Sequence, residues 1–314
     1  MSVPSPTIHV ARDQVRFGWD RSFEPSHTVR SGEELVVETQ DASAGQIRRD
    51  ATIETVRTLD FERVNPVSGP ILVEGARPGD VLQVDLLEIV PGDFGWTAQI
   101  PGFGLLADEY PEPWLHLWTL GPERASFRPG ISVPLEPFCG VIGVAPAAPG
   151  LHSVVPPRRV GGNMDIRQLG AGATLYLPVE VDGALLGIGD THGAQGDGEV
   201  CGTAIESAMT VRARITVRRD VAIDGPEFDI HRPLERPGAA VAGYHVTTGI
   251  APDLLEAARM AVRRMIAYLG ATRDLSPAEA YGLCSVAVDL KISEVVDAPN
   301  WVVSAFLPGD LFSA

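Results

Sequence analysis

The chain has 314 residues, of which 45% are hydrophobic and 21% are charged, and its formal net charge is −16. Such an acidic chain is not expected to bind nucleic acid or an anionic membrane, because that binding depends on clustered lysine and arginine. The length suits two lobes with real cores, and we predict a β-rich lobe over residues 1–150 intertwined with a β-sandwich lobe over residues 151–314.

The 33 glycines and 26 prolines predict short regular elements, which favours a β-rich architecture. Strand-like segments occur in chain order at Glu34–Thr39, Val81–Ile89, Gly140–Val144, Thr174–Val179 and Val211–Val217. In the last of these every second residue is apolar, so we expect one buried face and arginines facing water.

Two helices are predicted near the C-terminus. The first runs from Asp253 to Leu269 and stops at Gly270. Its apolar stripe consists of Leu255, Ala258, Val262, Ile266 and Leu269. The second opens at the capping box Ser276–Glu279, contains Cys284, and is followed by a predicted strand over Val286–Ile292.

The cysteines are Cys139, Cys201 and Cys284, far apart and without a C-x-x-C pair, which argues against a disulfide framework or a cysteine zinc site. The first residues lack the basic and apolar regions of a signal peptide. No apolar run reaches the roughly 18 residues needed to cross a bilayer. We therefore predict a reduced, soluble, cytoplasmic protein.

The densest group of chemically active side chains is the segment Gly189–Glu199, with three carboxylates, an imidazole and a carboxamide. The apolar run Ala184–Ile188 before it indicates a buried strand. If that strand continues through Asp190 and His192, their i, i+2 spacing turns both to one face, where they can share a divalent metal. The alternative is ordinary turn chemistry, since Asp-Gly pairs also form turns.

Three further polar groups are candidates for a site. Asn163 and Asp165 follow a Gly-Gly pair at i, i+2 spacing, and the alternative there is an Asx turn. Asp41 and Gln46 follow the strand that ends at Thr39, where the alternative is a polar loop. Glu206 lies among small and apolar residues, and a buried carboxylate must pair or bind something.

Exclusion narrows the mechanism. A nitrilase-type site needs Cys, Glu and Lys together, and Cys201 lies two residues from Glu199, but the single lysine, Lys291, has no local link to it. No G-x-S-x-G elbow, Walker loop or dinucleotide fingerprint occurs. Water activated by a metal, by a carboxylate, or by both remains.

The same segments together resemble the acetamidase/formamidase family. The resemblance covers most of the chain in consistent order, and its most specific part is the Q-G-D-G-E stretch. It rests on Gly161–Asp165, Gly189–His192 and Gln195–Glu206, with Asp41, Gly45-Gln46, Asn65–Pro70, Glu74–Ala76, Pro78–Asp80 and the tail Val296–Asn300.

This resemblance implies hydrolysis of a short aliphatic amide to a carboxylate and ammonia, by homo-oligomers. It also implies a mainly β fold, α+β overall: a jelly-roll-like sandwich with a smaller β-barrel and an α+β part that carries the two C-terminal helices. The cofactor it implies is a divalent metal, with zinc leading and calcium as the alternative. Carried over by motif, Asp190 and His192 resemble metal ligands, and the other site residues are Asn163, Asp165, Glu199 and Glu206.

Amide chemistry suggests a division of roles. A metal on Asp190 and His192 would activate water, and Glu199 would take its proton and pass it to nitrogen. The oxyanion donor is Asn163 or Gln195. Asp165 or Glu206 orients the histidine or completes the coordination. We assign substrate binding to Gln195, Asp41 and Gln46.

Two alternatives stay open at this point. One is a β-sandwich binding module with a structural calcium, against which His192 argues because imidazole prefers softer metals. The other is hydrolysis with Cys201 as the nucleophile. Four aromatic residues are candidates for lining a pocket or a subunit contact, and the alternative for each is packing in the core. They are Trp96, Phe103, Trp114 and Trp118.

Overall fold

The computed structural model describes residues 7–231, 243–295, 299 and 301–312. The first six residues, which bear on the signal-peptide prediction, lie outside these ranges. So does the tail motif at 296–300, apart from Pro299. Among the described residues, none of the helices combines the length and hydropathy that a membrane crossing requires.

In these ranges the chain forms nineteen strands and three α-helices. The strands β1 to β19 are Ile8–Val10, Val15–Arg16, His27–Val29, Glu34–Glu38, Val67–Val73, Val81–Pro91, Phe94–Gln99, Trp114–Thr119, Arg124–Arg128, Ile131–Pro134, Phe138–Gly143, Gly161–Asn163, Ala173–Pro178, Leu186–His192, Met209–Arg218, Glu227–Ile230, Tyr244–Ala251, Asp289–Glu294 and Trp301–Pro308. The helices α1 to α3 are Ile53–Arg57, Leu254–Arg273 and Pro277–Ala287, and short 3-10 helices lie at Phe61–Arg63 and Gly309–Leu311.

Two six-stranded sheets share one apolar core. The first has the order β1-β4-β15-β6-β13-β16, and the second has the order β12-β11-β14-β5-β2, with β3 parallel to β5. Val84 and Val211 from the first sheet join Ile142 and Ile188 from the second in this core. Each such side chain, when fully buried, contributes about 1.5–3 kcal/mol. The sheets therefore form a sandwich.

The predicted strands are found in β4, β6, β11, β13 and β15. In β15 the alternation holds, because Val211, Ala213 and Ile215 are buried while Arg214 is exposed. Half of the first sheet's strands precede residue 150 and half follow it. The division into two lobes stays a prediction.

The C-terminal helices cover a separate three-stranded sheet of order β17-β19-β18, with α2 packed on β17 and β19. The predicted stripe on α2 holds in its later part, where Val262, Ile266 and Leu269 are buried. At its start Leu255 is 53% exposed, and Ala257 and Ala261 are fully buried instead. The reason is close approach, since a Cβ at Gly249 would lie 1.8 Å from the carbonyl oxygen of Ala257. Small residues therefore face the sheet.

The second predicted helix has the expected capping box, in which the side chains of Ser276 and Glu279 bond each other's backbone N–H groups. The strand predicted from Val286 begins too early. Val286 and Ala287 form the last turn of α3, and β18 begins at Asp289. This half of α3 is buried on all sides, so its continuous apolar run has no period that separates helix from strand.

The mainly β, α+β class is confirmed. The smaller barrel is not found: within the described ranges the minor sheets stay open, as the two-stranded pairs β7-β8 and β9-β10 and the three-stranded C-terminal sheet. Helices α2 and α3 pack in the same core as β9, β10, β17 and β19, so this apolar surface is covered without closure of a sheet.

Candidate active site

Strand β14 places two predicted metal ligands inside the second sheet. It lies between β11 and β5 and continues to His192, as predicted. Within it, Asp190 adopts a left-handed φ of 47°, which is uncommon for a residue other than glycine. The Nε2 atom of His192 lies 3.2 Å from Oδ1 of Asp190, and both side chains are buried. The structure thus brings this pair together.

Further carboxylates converge on His192 from other segments. Oε2 of Glu206 lies 3.2 Å from the same Nε2 atom. Asp165, just after β12, places a ligand atom within 4.8 Å of those of Asp190 and His192, and Glu199 and Glu206 meet His192 within the same limit. We call these five residues the acidic cluster: Asp165, Asp190, His192, Glu199 and Glu206.

A glycine-rich turn carries Glu199 to the acidic cluster. Glu199 has a left-handed φ of 41°, directly after Gly198 at 108°. Gly196 lies against the C-terminal part of the chain, where a Cβ atom would be 2.0 Å from the carbonyl oxygen of Val288. Only glycine fits such a close approach of two backbones.

Arg167 forms ion pairs that stabilise the same turn. Its guanidinium contacts Asp197 at 2.8 Å, Glu136 at 3.0 Å and Asp289 at 3.2 Å. The backbone N–H of Asp197 also donates to Asp289 at 3.0 Å. Because Arg167 follows Asp165 by two residues, this largely buried ion-pair network connects the segment of Asp165 with three others around the cluster.

Burial and mutual repulsion shift the pKa values in the acidic cluster. Burial, with the charge of Asp190, raises the pKa of Asp165 to about 8. Burial raises the pKa of Glu206 to about 7, although His192 acts in the opposite direction. Burial and the charge of Asp165 raise the pKa of Glu199 well above its ordinary value. Burial lowers the pKa of His192, but Glu206 and Asp190 outweigh that effect and raise it. Four carboxylates thus surround one imidazole, and a bound cation would compensate their excess negative charge.

Gln195 fixes the orientation of the His192 ring. Its Nε2 group donates to the carbonyl oxygen of Asp165 at 2.8 Å, so its Oε1 atom faces His192. Nδ1 of His192, 2.9 Å away, therefore donates to Oε1. In the neutral ring, the Nε2 lone pair then points towards Asp190 and Glu206. A lone pair aimed at carboxylate oxygens is typical of a metal ligand.

The donor atoms fit a divalent cation. Among the described residues, nine buried side-chain atoms lack a hydrogen-bond partner, and four of them belong to the acidic cluster. The four are Asp165 Oδ1, Asp190 Oδ1, His192 Nε2 and Glu206 Oε2, and a fifth, Asn163 Oδ1, belongs to a residue that lines the same cavity. A tetrahedral ion about 2.0 Å from each ligand separates the ligands by about 3.3 Å. The 3.2 Å separations around Nε2 agree with that spacing.

Side chains of the acidic cluster line a cavity of about 510 Å³. The apolar walls include Leu59, Phe61, Trp96, Ile100, Phe103 and Val155. The charged lining residues, among those described, are four carboxylates of the cluster: Asp165, Asp190, Glu199 and Glu206. Such a cavity has the size of a small-molecule site.

Sequence comparison then decides the family. The profile of the Acetamidase/Formamidase family matches residues 7–154 and 147–314. The chain belongs to the Acetamidase/Formamidase family. This confirms the resemblance, and with it the prediction of a hydrolase that acts on carbon–nitrogen bonds of linear amides.

Individual relatives match along nearly the whole chain. A formamidase of Methylophilus methylotrophus is 28% identical over 95% of this chain and 89% of its own length. The solved structure of a gamma lactamase from Delftia acidovorans has a TM-score of 0.88 at 29% identity, covering 96% of this chain and 90% of that one. An acetamidase from Bacillus halodurans has a TM-score of 0.69 at 33% identity, covering 96% and 97%.

Sequence reasoning quoted Asn65 only as part of a family motif and missed it as a site residue. Its Nδ2 atom lies 3.5 Å from Oδ2 of Asp190, and its φ of 48° is left-handed. The sequence pattern that could have identified Asn65 is an Asn before Pro66, just where the chain enters β5. Of the four aromatic residues considered, Trp96 and Phe103 line the cavity, and Trp118 and Trp114 belong to the C-terminal core.

Asn163 lies beside the acidic cluster and lines the cavity, with its Nδ2 group donating to the carbonyl of Val155 at 3.2 Å. Asp41 and Gln46 lie apart from it. Asp41 accepts bonds from its own turn and from Nε1 of Trp96. Gln46 bonds the backbone of Asp60 and Arg63. Both side chains thus stabilise the loops that shape the cavity.

Cys201 is fully buried, and its Sγ atom contacts the carbonyl oxygen of Ala98 at 3.6 Å. Burial raises its thiol pKa to about 11. Since the thiolate is the nucleophilic form, little of it exists near neutral pH. The geometry therefore gives no support to Cys201 as the nucleophile.

Replacing Gln195 by leucine is expected to weaken metal binding by about 10- to 100-fold, because the His192 ring loses the acceptor that orients it. Metal titration of the purified variant, with circular dichroism for the fold, measures this. Gln40→Leu removes a similar amide-to-backbone bond, to Arg12, outside the site. Equal affinities in both variants and the parent would contradict the role of Gln195.

Gly140→Ala tests how tightly the acidic cluster is packed. A Cβ at Gly140 would lie 2.5 Å from Oδ1 of Asp165 and 2.9 Å from Cε1 of His192. We expect the ligands to separate and metal affinity to fall by about 10- to 100-fold. Gly225→Ala is the control, because nothing lies within 4 Å of its Cβ position. Unchanged metal content in Gly140→Ala would show that the cluster tolerates displacement.

Proposed function

We propose that the protein hydrolyses the carbon–nitrogen bond of a small uncharged amide and that a divalent cation in the acidic cluster supports the reaction. The observation that carries this proposal is the convergence of four unpartnered donor atoms of the acidic cluster beside a largely apolar cavity. Asp190 and His192 are the proposed ligands, and Asp165 and Glu206 complete the coordination.

When bound, the cation would act as a Lewis acid that polarises a carbonyl group and lowers the pKa of water. Glu199 takes a proton from water as the water oxygen bonds to the amide carbon. The second N–H of the Asn163 amide, beside the one that bonds the carbonyl of Val155, donates a hydrogen bond to the carbonyl oxygen as negative charge develops there. Glu199 then delivers the proton to nitrogen, the carbon–nitrogen bond breaks, and the carboxylic acid and ammonia leave.

The remaining predicted residues take supporting roles in this proposal. Gln195 acts through His192 and Asp165, so it positions the ligands and does not touch substrate. We withdraw the assignment of Asp41 and Gln46 to substrate binding, because their polar atoms bond the surrounding loops. Asp165 and Glu206 share one role, because Glu206 lies 3.2 Å from Nε2 of His192 and a ligand atom of Asp165 lies within 4.8 Å of those of Asp190 and His192.

Zinc fits the donor set better than calcium. Zinc takes imidazole nitrogen and carboxylate oxygen in low coordination numbers, whereas calcium takes 6–8 oxygen ligands. An imidazole at the centre of the cluster disfavours calcium and the structural-calcium binding module. We therefore propose zinc, in a catalytic site.

A second candidate substrate is a gamma-lactam. The TM-score of 0.88 to the gamma lactamase, against 0.69 to the acetamidase from Bacillus halodurans, favours it. The chemistry is the same, except that the leaving amine stays attached to the opened ring. Product analysis separates the two: a linear amide releases ammonia, and a lactam yields an amino acid.

The test combines metal quantification with hydrolysis of a small panel that contains formamide, acetamide and 2-pyrrolidinone. We expect about one divalent ion per chain, loss of activity after chelation, and recovery when zinc is restored. Activity that persists at full rate in a metal-free, folded protein would contradict the role of the cation. From composition and resemblance we further propose a cytoplasmic homo-oligomer, which sedimentation and fractionation would test.

A further inference from the structure

The cavity is larger than acetamide requires. Acetamide has four non-hydrogen atoms, which occupy about 120 Å³ if each takes roughly the 30 Å³ of a liquid water molecule. The cavity volume is about 510 Å³. An acetamide molecule in reach of the acidic cluster would leave most of the apolar wall in contact with water.

That wall is both aromatic and exposed. The exposed fractions are 60% for Phe61, 48% for Phe103 and 41% for Val155, and all three line the cavity. Exposed apolar side chains that surround a concave site are typical of a ligand-binding surface. Contact with an apolar ligand would remove their surface from water, which is energetically favourable.

Phe103 connects this wall to the glycine-rich turn that carries Glu199. Its ring rests on Gly202, where a Cβ atom would lie 2.4 Å from Cδ1 of the ring. The backbone N–H of Gly202 donates to the carbonyl oxygen of Glu199 at 2.8 Å. A substituent that extends from an amide near Glu199 therefore meets the Phe103 ring.

Charge further restricts the substituent. The charged residues described in the cavity lining are all carboxylates, and the walls offer no described arginine or lysine. An anionic group on the substrate would be desolvated beside apolar side chains and repelled by the acidic cluster. The walls thus favour a substituent that is uncharged as well as apolar.

We infer that this site, if it hydrolyses amides as proposed above, takes amides with an uncharged apolar group larger than methyl, and that Phe103 is a specificity-determining residue. The inference rests on the proposed function and adds the substrate class. It gives the apolar wall of the cavity the role of binding the substituent of the substrate.

The experiment measures kcat/KM of the metal-loaded protein for acetamide, butanamide, hexanamide and succinamate. We expect butanamide and hexanamide to exceed acetamide by about tenfold or more, since one methylene in an apolar pocket contributes about that factor. Succinamate, which has the chain length of butanamide and a carboxylate, should have a kcat/KM below that of acetamide.

Phe103→Ala should lower the hexanamide-to-acetamide ratio of kcat/KM about tenfold, and Phe61→Ala provides a second variant of the wall. Phe17→Ala, an exposed phenylalanine outside the cavity lining, should keep the parental ratio.

The outcomes separate the two proposals. If acetamide is the best substrate and the wall variants lower all rates equally, the inference is wrong while the proposed function stands. If Phe103→Ala changes only the oligomeric state, the wall is a subunit contact and the inference is again wrong. If the folded, metal-loaded protein hydrolyses no amide, the proposed function and this inference both fail.

Discussion

His192→Ala is expected to remove the bound cation and to lower kcat/KM for amide hydrolysis by at least about 10³-fold, which corresponds to roughly 4 kcal/mol. His192 supplies the nitrogen donor of the acidic cluster, and its Nε2 atom lies 3.2 Å from both Asp190 and Glu206. Without the ring, these carboxylates face each other across a space with no positive charge, so the remaining ligands bind a cation weakly. Asp190→Asn should act in the same direction, because it keeps the size of the side chain and removes its charge.

Three measurements check this prediction: metal content of the purified protein, ammonia release, and circular dichroism to show that the variants fold. His9→Ala is the matched control, since the His9 side chain is 55% exposed and pairs with Glu38 away from the cluster. Folded His192→Ala protein that hydrolyses amides at the parental rate would end the proposal of a metal site here.

The fold was predictable where the pattern is local. The alternation of apolar and polar residues predicted β15, and the capping box at Ser276 predicted the start of α3, because each pattern depends only on residues close in the chain. The i, i+2 spacing in a strand likewise predicted that Asp190 and His192 lie together. Prediction was wrong where packing decides: Leu255, at the start of the stripe on α2, is exposed, and Ala257 faces the sheet because Gly249 lets the two backbones approach closely.

The acidic cluster was only half predictable. Its members were all quoted as candidates, but their meeting depends on long-range pairing, such as the 3.2 Å contact between His192 and Glu206. No local rule distinguishes Gln195, which orients His192, from Gln46, which bonds a neighbouring loop. The difference lies in what each side chain contacts in the fold. Asn65 was missed for the same reason.

Glu199→Gln is expected to keep the cation and to lower kcat by about 10²- to 10⁴-fold, the usual contribution of a general base. Glutamine has the same shape but cannot accept a proton from water. The native carboxyl belongs to the acidic cluster, where a bound cation would favour its ionised, proton-accepting form against the burial that raises its pKa. Its place in the cavity lining puts it within reach of substrate.

Metal content decides what a loss of activity in Glu199→Gln means. A variant that retains its cation and lacks turnover identifies Glu199 as the base, whereas a variant that loses the cation identifies it as a ligand. Full turnover would move the base elsewhere, and Asp165 is then the candidate, since burial and Asp190 raise its pKa to about 8. Glu62→Gln, an exposed carboxylate beside the cavity residue Phe61, serves as the control and should retain parental activity. Glu199→Asp should also lower turnover, because its side chain is one methylene shorter and draws the carboxylate back from the acidic cluster.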